Sequence, residues 1–198
     1  MLSRFSVNER TDLYPDDISL ARAYASALTE EIDEVVKEGC DYIQFDEPVW
    51  TENVSETLWA AQILNEIIEK FPNVDFNLHV CGGNAHRKRG FFGKYTDMIE
   101  GFKILKVNEI HLEHCSLHYK MLDVFKNWNF DGRISLGVID QRIDRTESEE
   151  DIINAIKPAL DYFPKEKILL TSECGFGHVP IDIVRNKIKI LVSVAKKL

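Results

Sequence analysis

Five short runs of β-branched and apolar residues punctuate the chain: Asp41–Phe45, Val74–Val80, Glu109–Leu112, Arg133–Ile139 and Lys167–Thr171, beginning about 24 to 35 residues apart. Longer stretches with helical spacing lie between them. This alternation constrains the fold more than any other feature, because strands separated by single helices are the repeat of a parallel sheet. Leu20, Tyr24, Leu28, Ile32 and Val36 mark a helix ahead of the first strand, stopped by Gly39. Trp59, Ile63, Ile67 and Phe71 mark a second. Ser148 and Asp151 read as a capping box opening a helix through Ile152, Ile156 and Leu160. Pro180 suits a first helical turn, and Ile181–Leu198 forms the last helix. The expected order is one helix followed by five strand–helix units.

No Gly/Ser/Pro-rich linker divides the chain and no motif recurs between units, so residues 1–198 are expected to form one domain and not a repeat array. The hydrophobic fraction, 44%, is that of a chain with a real core and argues against disorder. A net charge of −9 speaks against a duplex nucleic-acid partner. No apolar run approaches the roughly 18 residues that cross a bilayer. Met1–Ser6 lacks the apolar stretch of a secretory signal, so a cytoplasmic location is expected. In that reducing setting Cys40, Cys81, Cys115 and Cys174 serve packing, a metal, or nucleophilic chemistry rather than disulfides. Five units fall short of the eight of a closed (β/α)8 barrel, which takes about 250 residues. An open doubly wound sheet of five strands fits the length better.

Every strand exit is polar. The five read Asp46-Glu47-Pro48, His79-Val80-Cys81-Gly82-Gly83-Asn84, His111-Leu112-Glu113-His114-Cys115, Asp140-Gln141-Arg142 and Ser172-Glu173-Cys174-Gly175-Phe176-Gly177-His178. In parallel α/β architectures the carboxyl ends of the strands form the functional face. His79 and Cys81, two apart on an extended strand, point the same way and suit zinc, with Cys174 and Glu113 able to join from other exits. Packing as a small hydrophobe is the other use of a buried cysteine. Gly82-Gly83 allows a tight turn beside these donors. Asp46 and Glu47 either grip a cationic substrate group or cap the following helix. His86 lies in a basic loop, Ala85–Arg89, read as solvated or facing an anion; His111 reads as packed, and Cys40 as core at the opposite end.

Taken together, Tyr42-Ile43-Gln44-Phe45-Asp46-Glu47-Pro48, His79-x-Cys81, Glu113 at a strand end and Glu173-Cys174-Gly175-Phe176 resemble the catalytic domain of cobalamin-independent methionine synthase. The resemblance runs from about residue 14 to the end. It implies a partial TIM-type (β/α)8 barrel of about five parallel strands with alternating helices, the C-terminal part of that catalytic barrel. It implies a zinc ion on His79, Cys81, Glu113 and Cys174, with Asp46 helping to hold an amino-acid substrate; Glu47 beside it is expected to share that task from its place at the strand exit. It also implies S-methylation of homocysteine, or a related thiol, through a zinc-bound thiolate. Roughly three N-terminal barrel strands have no counterpart here, so a homo-oligomer or a partner chain completing the barrel is expected. In the folate-using members a proton-donating histidine follows the Asp of the seventh strand by two residues. Here that position holds Arg142, a poor proton donor, which argues against methyltetrahydrofolate as donor. Shorter relatives with Cys-Gly-Gly-Asn and Cys-Gly-Phe-Gly wording include an epoxyalkane–coenzyme M transferase. Alkyl transfer to an epoxide, or a non-catalytic partial barrel needing a partner, are therefore the alternatives.

Overall fold

The computed structural model describes residues 2–197. Helix α1, Asp17–Lys37, precedes strand β1, Tyr42–Asp46. There follow α2, Thr57–Ile68; β2, Asp75–Val80; α3, Ile99–Ile104; β3, Glu109–Glu113; β4, Arg133–Ile139; α4, Glu149–Ile156; β5, Ile168–Ser172; and α5, Ile181–Ala195. The strands form one sheet in the order β1-β2-β3-β4-β5, every pair parallel. In sequential order there is no point where the winding reverses, and with the crossover hand that parallel strands follow as a rule, the helices fall on one face. That removes the doubly wound alternative. The sheet is an arc of a barrel.

Side-chain alternation explains why the arc curls. Phe76, Leu78, Val80, Ile110, Leu112, Ile134, Leu136 and Val138 occupy every second position, point to the helix layer and are almost wholly buried. The intervening positions carry Asn77, His79, Glu109, His111, Glu113 and Ser135, which are buried and polar and face the concave side. Contacts on that side skip a strand. The Tyr42 hydroxyl on β1 donates to Glu109 on β3 at 3.1 Å, Arg133 on β4 donates to Asp75 on β2 at 2.7 Å, and His111 Nε2 on β3 donates to the Ser172 carbonyl on β5 at 2.8 Å. Next-but-one strands in a flat sheet stand about 9.6 Å apart with side chains upright on it, and this set of skipped-strand bonds fits a concave face that tips those side chains toward one another.

Three local expectations are corrected. The third unit contains no α-helix: left-handed backbone at His118 and Tyr119 turns the chain into a 3-10 segment, Lys120–Lys126, whose Met121, Leu122, Val124 and Phe125 still reach the core. Helix α4 opens on the expected Ser148–Asp151 capping box but stops at Ile156 rather than Leu160. Pro158 has no N–H to continue the ladder, and a 3-10 turn follows over Lys157–Asp161. Pro180 is the residue before α5 rather than within its first turn, and α5 ends at Ala195; Leu198 lies outside the described residues. Among the described residues no helix is long and apolar enough to cross a membrane.

Candidate metal centre

His79 is the penultimate residue of β2, Cys81 directly follows the strand, and Cys174 lies two residues past β5. One ligand atom from each lies within 4.8 Å of the others. The sulfurs of Cys81 and Cys174 are 3.8 Å apart, and all four cysteines are free thiols. Two thiolates on a tetrahedral zinc with Zn–S of about 2.3 Å would stand about 3.8 Å apart. Both ring nitrogens of His79 are buried and make no hydrogen bond within the protein. A buried imidazole normally satisfies at least one nitrogen, so this orphaned ring beside two sulfurs fits a coordinating role. The thiols share a hydrogen bond, which lowers Cys174 and raises Cys81; His79 adds to the first shift and burial to the second.

Loop geometry delivers these atoms. Thr51, in the turn after β1, donates its hydroxyl to the Cys81 carbonyl at 2.8 Å. Gly83 has φ of +63°, and the Gly82 carbonyl accepts from the amides of Gly90 and Phe91, both at 2.8 Å, so the chain after Cys81 doubles back. A Cβ at Gly82 would lie 2.6 Å from Arg89 Nε; only glycine lets that arginine cross. The basic loop is consequently not simply solvated, as the sequence suggested. His86 remains exposed, its ring 4.7 Å from that of His178, but Arg87 donates to the carbonyls of Gln141 and Arg142, and Arg89 turns inward.

Glu113 stands at the end of β3, wholly buried and outside the three-residue cluster. Its carboxylate is held by an ion pair with Arg89 and by the Asn84 amide at 2.5 Å. Asp46 is exposed at the end of β1, in register beside His79, and accepts from Gln44 at 2.8 Å. Glu47 is half-buried and raised by that burial; its amide donates to the His79 carbonyl at 2.8 Å. Both acids line a cavity of about 320 Å³ walled by Phe45, Trp50, Trp59 and Tyr24. His111 packs as expected, its ring 4.0 Å from that of His79. Cys40 is only half-buried, its thiol on the Tyr42 carbonyl, rather than part of the core.

Sequence reasoning passed over Glu173 as a contributor in its own right. It is wholly buried, and burial pushes its carboxyl up to about 7. One oxygen accepts from the amides of His114 and Ser116, at 3.0 and 2.7 Å, and from the Cys115 thiol at 3.3 Å; the other pairs with Arg142. Its position immediately before Cys174 was the available signal.

His114, in the same shell, gives a pH signature. It is fully buried, donates through Nε2 to the Ala155 carbonyl at 2.6 Å, and burial lowers its pKa below the ordinary value. The unfolded chain then takes up more protons below about pH 6.5, so stability falls with acidification through that range. The thermal midpoint is expected to drop between pH 7 and 5, and His114→Gln to flatten the drop. An unchanged slope in the variant would contradict this assignment.

Comparison with known proteins agrees with the geometry. The sequence pattern of the family described as "Cobalamin-independent synthase, Catalytic domain" matches residues 10–197. The chain belongs to the cobalamin-independent synthase family. It is 28% identical over 195 residues to a methionine synthase of Saccharolobus solfataricus, covering 98% of this chain and 54% of that protein. It is 31% identical over 195 residues to a methionine synthase of Sulfurisphaera tokodaii, covering 98% and 53%. The chain therefore spans about half the length of these curated relatives. Among solved structures, a B12-independent methionine synthase from Shewanella sp. W3-18-1 in complex with selenomethionine superposes with a TM-score of 0.76 at 24% identity, over 93% of this chain and 56% of that one. A putative counterpart from Listeria monocytogenes gives 0.69 at 22%, over 92% and 56%. These likenesses establish the partial TIM-type barrel.

Proposed function

We propose that this chain is the zinc-holding part of a thiol methyltransferase that S-methylates homocysteine or a closely related thiol. One observation carries the reading: His79, Cys81 and Cys174 converge at the carboxyl ends of β2 and β5, with sulfurs at tetrahedral-site spacing and an imidazole whose buried nitrogens make no other hydrogen bond. His79, Cys81 and Cys174 would hold the ion, three protein donors leaving one position for exchange. Zinc held in this way lowers the pKa of an incoming thiol, ordinarily about 8.5, so that it reacts as thiolate near neutral pH. Glu113 is the fourth donor that the resemblance implies. Here its carboxylate is taken up by Arg89 and Asn84.

The remaining groups have distinct tasks. Asp46 extends from β1 next to His79, where a carboxylate can bind the ammonium group of an amino-acid thiol, and the Glu47 amide fixes that exit to β2. Arg142 is tied to Asp140 and Glu173 and stays charged throughout the useful pH range, which leaves it no proton to give. A donor whose leaving group needs protonation at this position is therefore disfavoured.

A partner requirement is part of the proposal. Among the described residues neither β1 nor β5 has a second neighbour, and relatives are nearly twice as long. Unpaired parallel edges are liabilities. We infer that further polypeptide, a second copy or a partner chain, closes the barrel along them.

Calorimetric titration of the zinc-loaded protein with L-homocysteine, in two buffers of different ionisation enthalpy, tests the reading. Release of about one proton per thiol bound is expected near neutral pH, since the bound form is the thiolate. No release should accompany homoserine. Homocysteine binding without proton release, or equal binding by metal-free protein, would overturn it.

A further inference from the structure

Strands β2 and β5 are separated by two others, so in a flat sheet their ends would stand about 14 Å apart. Their exit cysteines nevertheless bring sulfurs to 3.8 Å. Curvature accounts for part of this convergence, but the donors sit beyond the strands, on loops that hydrogen bonds between strands do not govern. Something must hold those loops to each other.

The rings of His86 and His178 meet across them at 4.7 Å, out at the exposed end of the loops, and one further side chain touches both nearer the sulfurs. Arg142, in the loop after β4, pairs through Nη2 with Glu173, the neighbour of Cys174. Through Nη1 it reaches Asn84 Oδ1 at 3.5 Å, three residues beyond Cys81. Its fork is itself immobilised, since Nε and the backbone amide both donate to Asp140 Oδ1 at 2.8 Å. The tie continues from each end. Asn84 donates to Glu113 on β3, and Glu173 accepts from the His114 and Ser116 amides, so the ends of β2, β3, β4 and β5 form one connected ring. Arg142 and Glu173 are 15% and 0% exposed, shielded enough for charge-assisted bonds to hold geometry.

We propose that Arg142 is a positioning residue whose planar fork ties the β2 and β5 exit loops together, and so sets the Cys81–Cys174 spacing and the affinity of the site for zinc. The proposal rests on the zinc reading above. It also accounts for an arginine at the position where the resemblance implies a proton-donating histidine: the site uses that position to hold its sulfurs in place. A lysine would supply a point charge without the fork and so could not make the three directed contacts.

Zinc affinity of the whole chain, measured by competition with a chromogenic chelator, tests this. Arg142→Met is expected to weaken zinc binding about 10- to 100-fold, the usual effect of removing a group that orients a ligand. Arg142→Lys should fall in between. Arg133→Met is the control: it cuts a comparable pair of ion pairs, to Asp75 and Glu109, at the opposite end of the sheet, and should leave affinity within about twofold. Cobalt loading gives a second readout, since the thiolate-to-cobalt charge-transfer band should weaken in Arg142→Met and persist in Arg133→Met. If Arg142→Met does not fold, Asn84→Ala cuts the same tie at its other end and should weaken binding in the same direction. Unaltered zinc affinity in whichever of these two variants folds, or an equal loss in Arg133→Met, overturns the proposal. Failure of the unaltered chain to bind zinc would overturn the zinc reading itself, and this proposal with it.

Discussion

Cys81→Ser should strip the protein of its zinc. Metal analysis of the purified chain is expected to find about one equivalent in the unaltered protein and less than about a tenth in the variant. The reason is the donor chemistry. A thiolate forms within reach of neutral pH, and more readily still beside a metal, whereas a serine hydroxyl stays protonated and binds zinc poorly. With only His79 and Cys174 left at the cluster, two donors remain where three converge. Cys81 is 5% exposed and serine is close to it in volume, so circular dichroism should show an intact fold. Cys40→Ser, at the far end of β1, should keep its zinc. Full retention of zinc by Cys81→Ser would refute the ligand assignment, whatever the fate of the activity.

The second large effect concerns stability. Lys187 on α5 is completely buried, and its ammonium donates to both oxygens of Glu147, at 3.0 and 2.9 Å, and to the carbonyls of Asp140 and Arg145. Glu147 in turn accepts from the Asp140 amide at 3.0 Å. This buried pair pins the last helix to the loop that carries Arg142. Replacing Lys187 by methionine leaves a carboxylate in the interior without its counter-charge, at a cost of about 3 to 5 kcal/mol. For a chain of this size that corresponds to a fall of roughly 6 to 20 °C in the thermal midpoint. Adding Glu147→Leu should recover much of the loss, because an apolar pair of similar volume avoids the desolvation of both charges. Denaturant unfolding of the two variants decides the matter: a Lys187→Met cost under about 1 kcal/mol would mean that water reaches this pair.

How far the sequence reveals the fold depends on what each level of structure requires. All five strands lie within one residue of the runs that announce them, because Val, Ile and Leu at alternate positions must face the helix layer wherever the chain goes. Strand order is different. Nothing in those runs separates an arc from a doubly wound sheet, and the family wording, not periodicity, pointed to the barrel. The third unit shows another limit: Met121, Leu122, Val124 and Phe125 have the spacing of a helix, yet left-handed residues at His118 and Tyr119 admit only a 3-10 segment. At the site, His79, Cys81 and Cys174 were legible because the carboxyl ends of the strands form the functional face of a parallel α/β fold; their close approach needs the curvature of the arc as well. The ring of Arg142, Glu173, Asn84 and Glu113 was not. It exists because Gly82 and Gly83 fold a loop back onto β3, a long-range consequence that no local pattern encodes.

X-ray absorption at the zinc edge of the purified, metal-loaded protein tests the central claim most directly, since it counts the atoms around the ion. The account predicts two sulfurs at about 2.3 Å and nitrogen or oxygen neighbours at about 2.0 to 2.2 Å. A shell of nitrogen and oxygen alone, or of one sulfur, would contradict it.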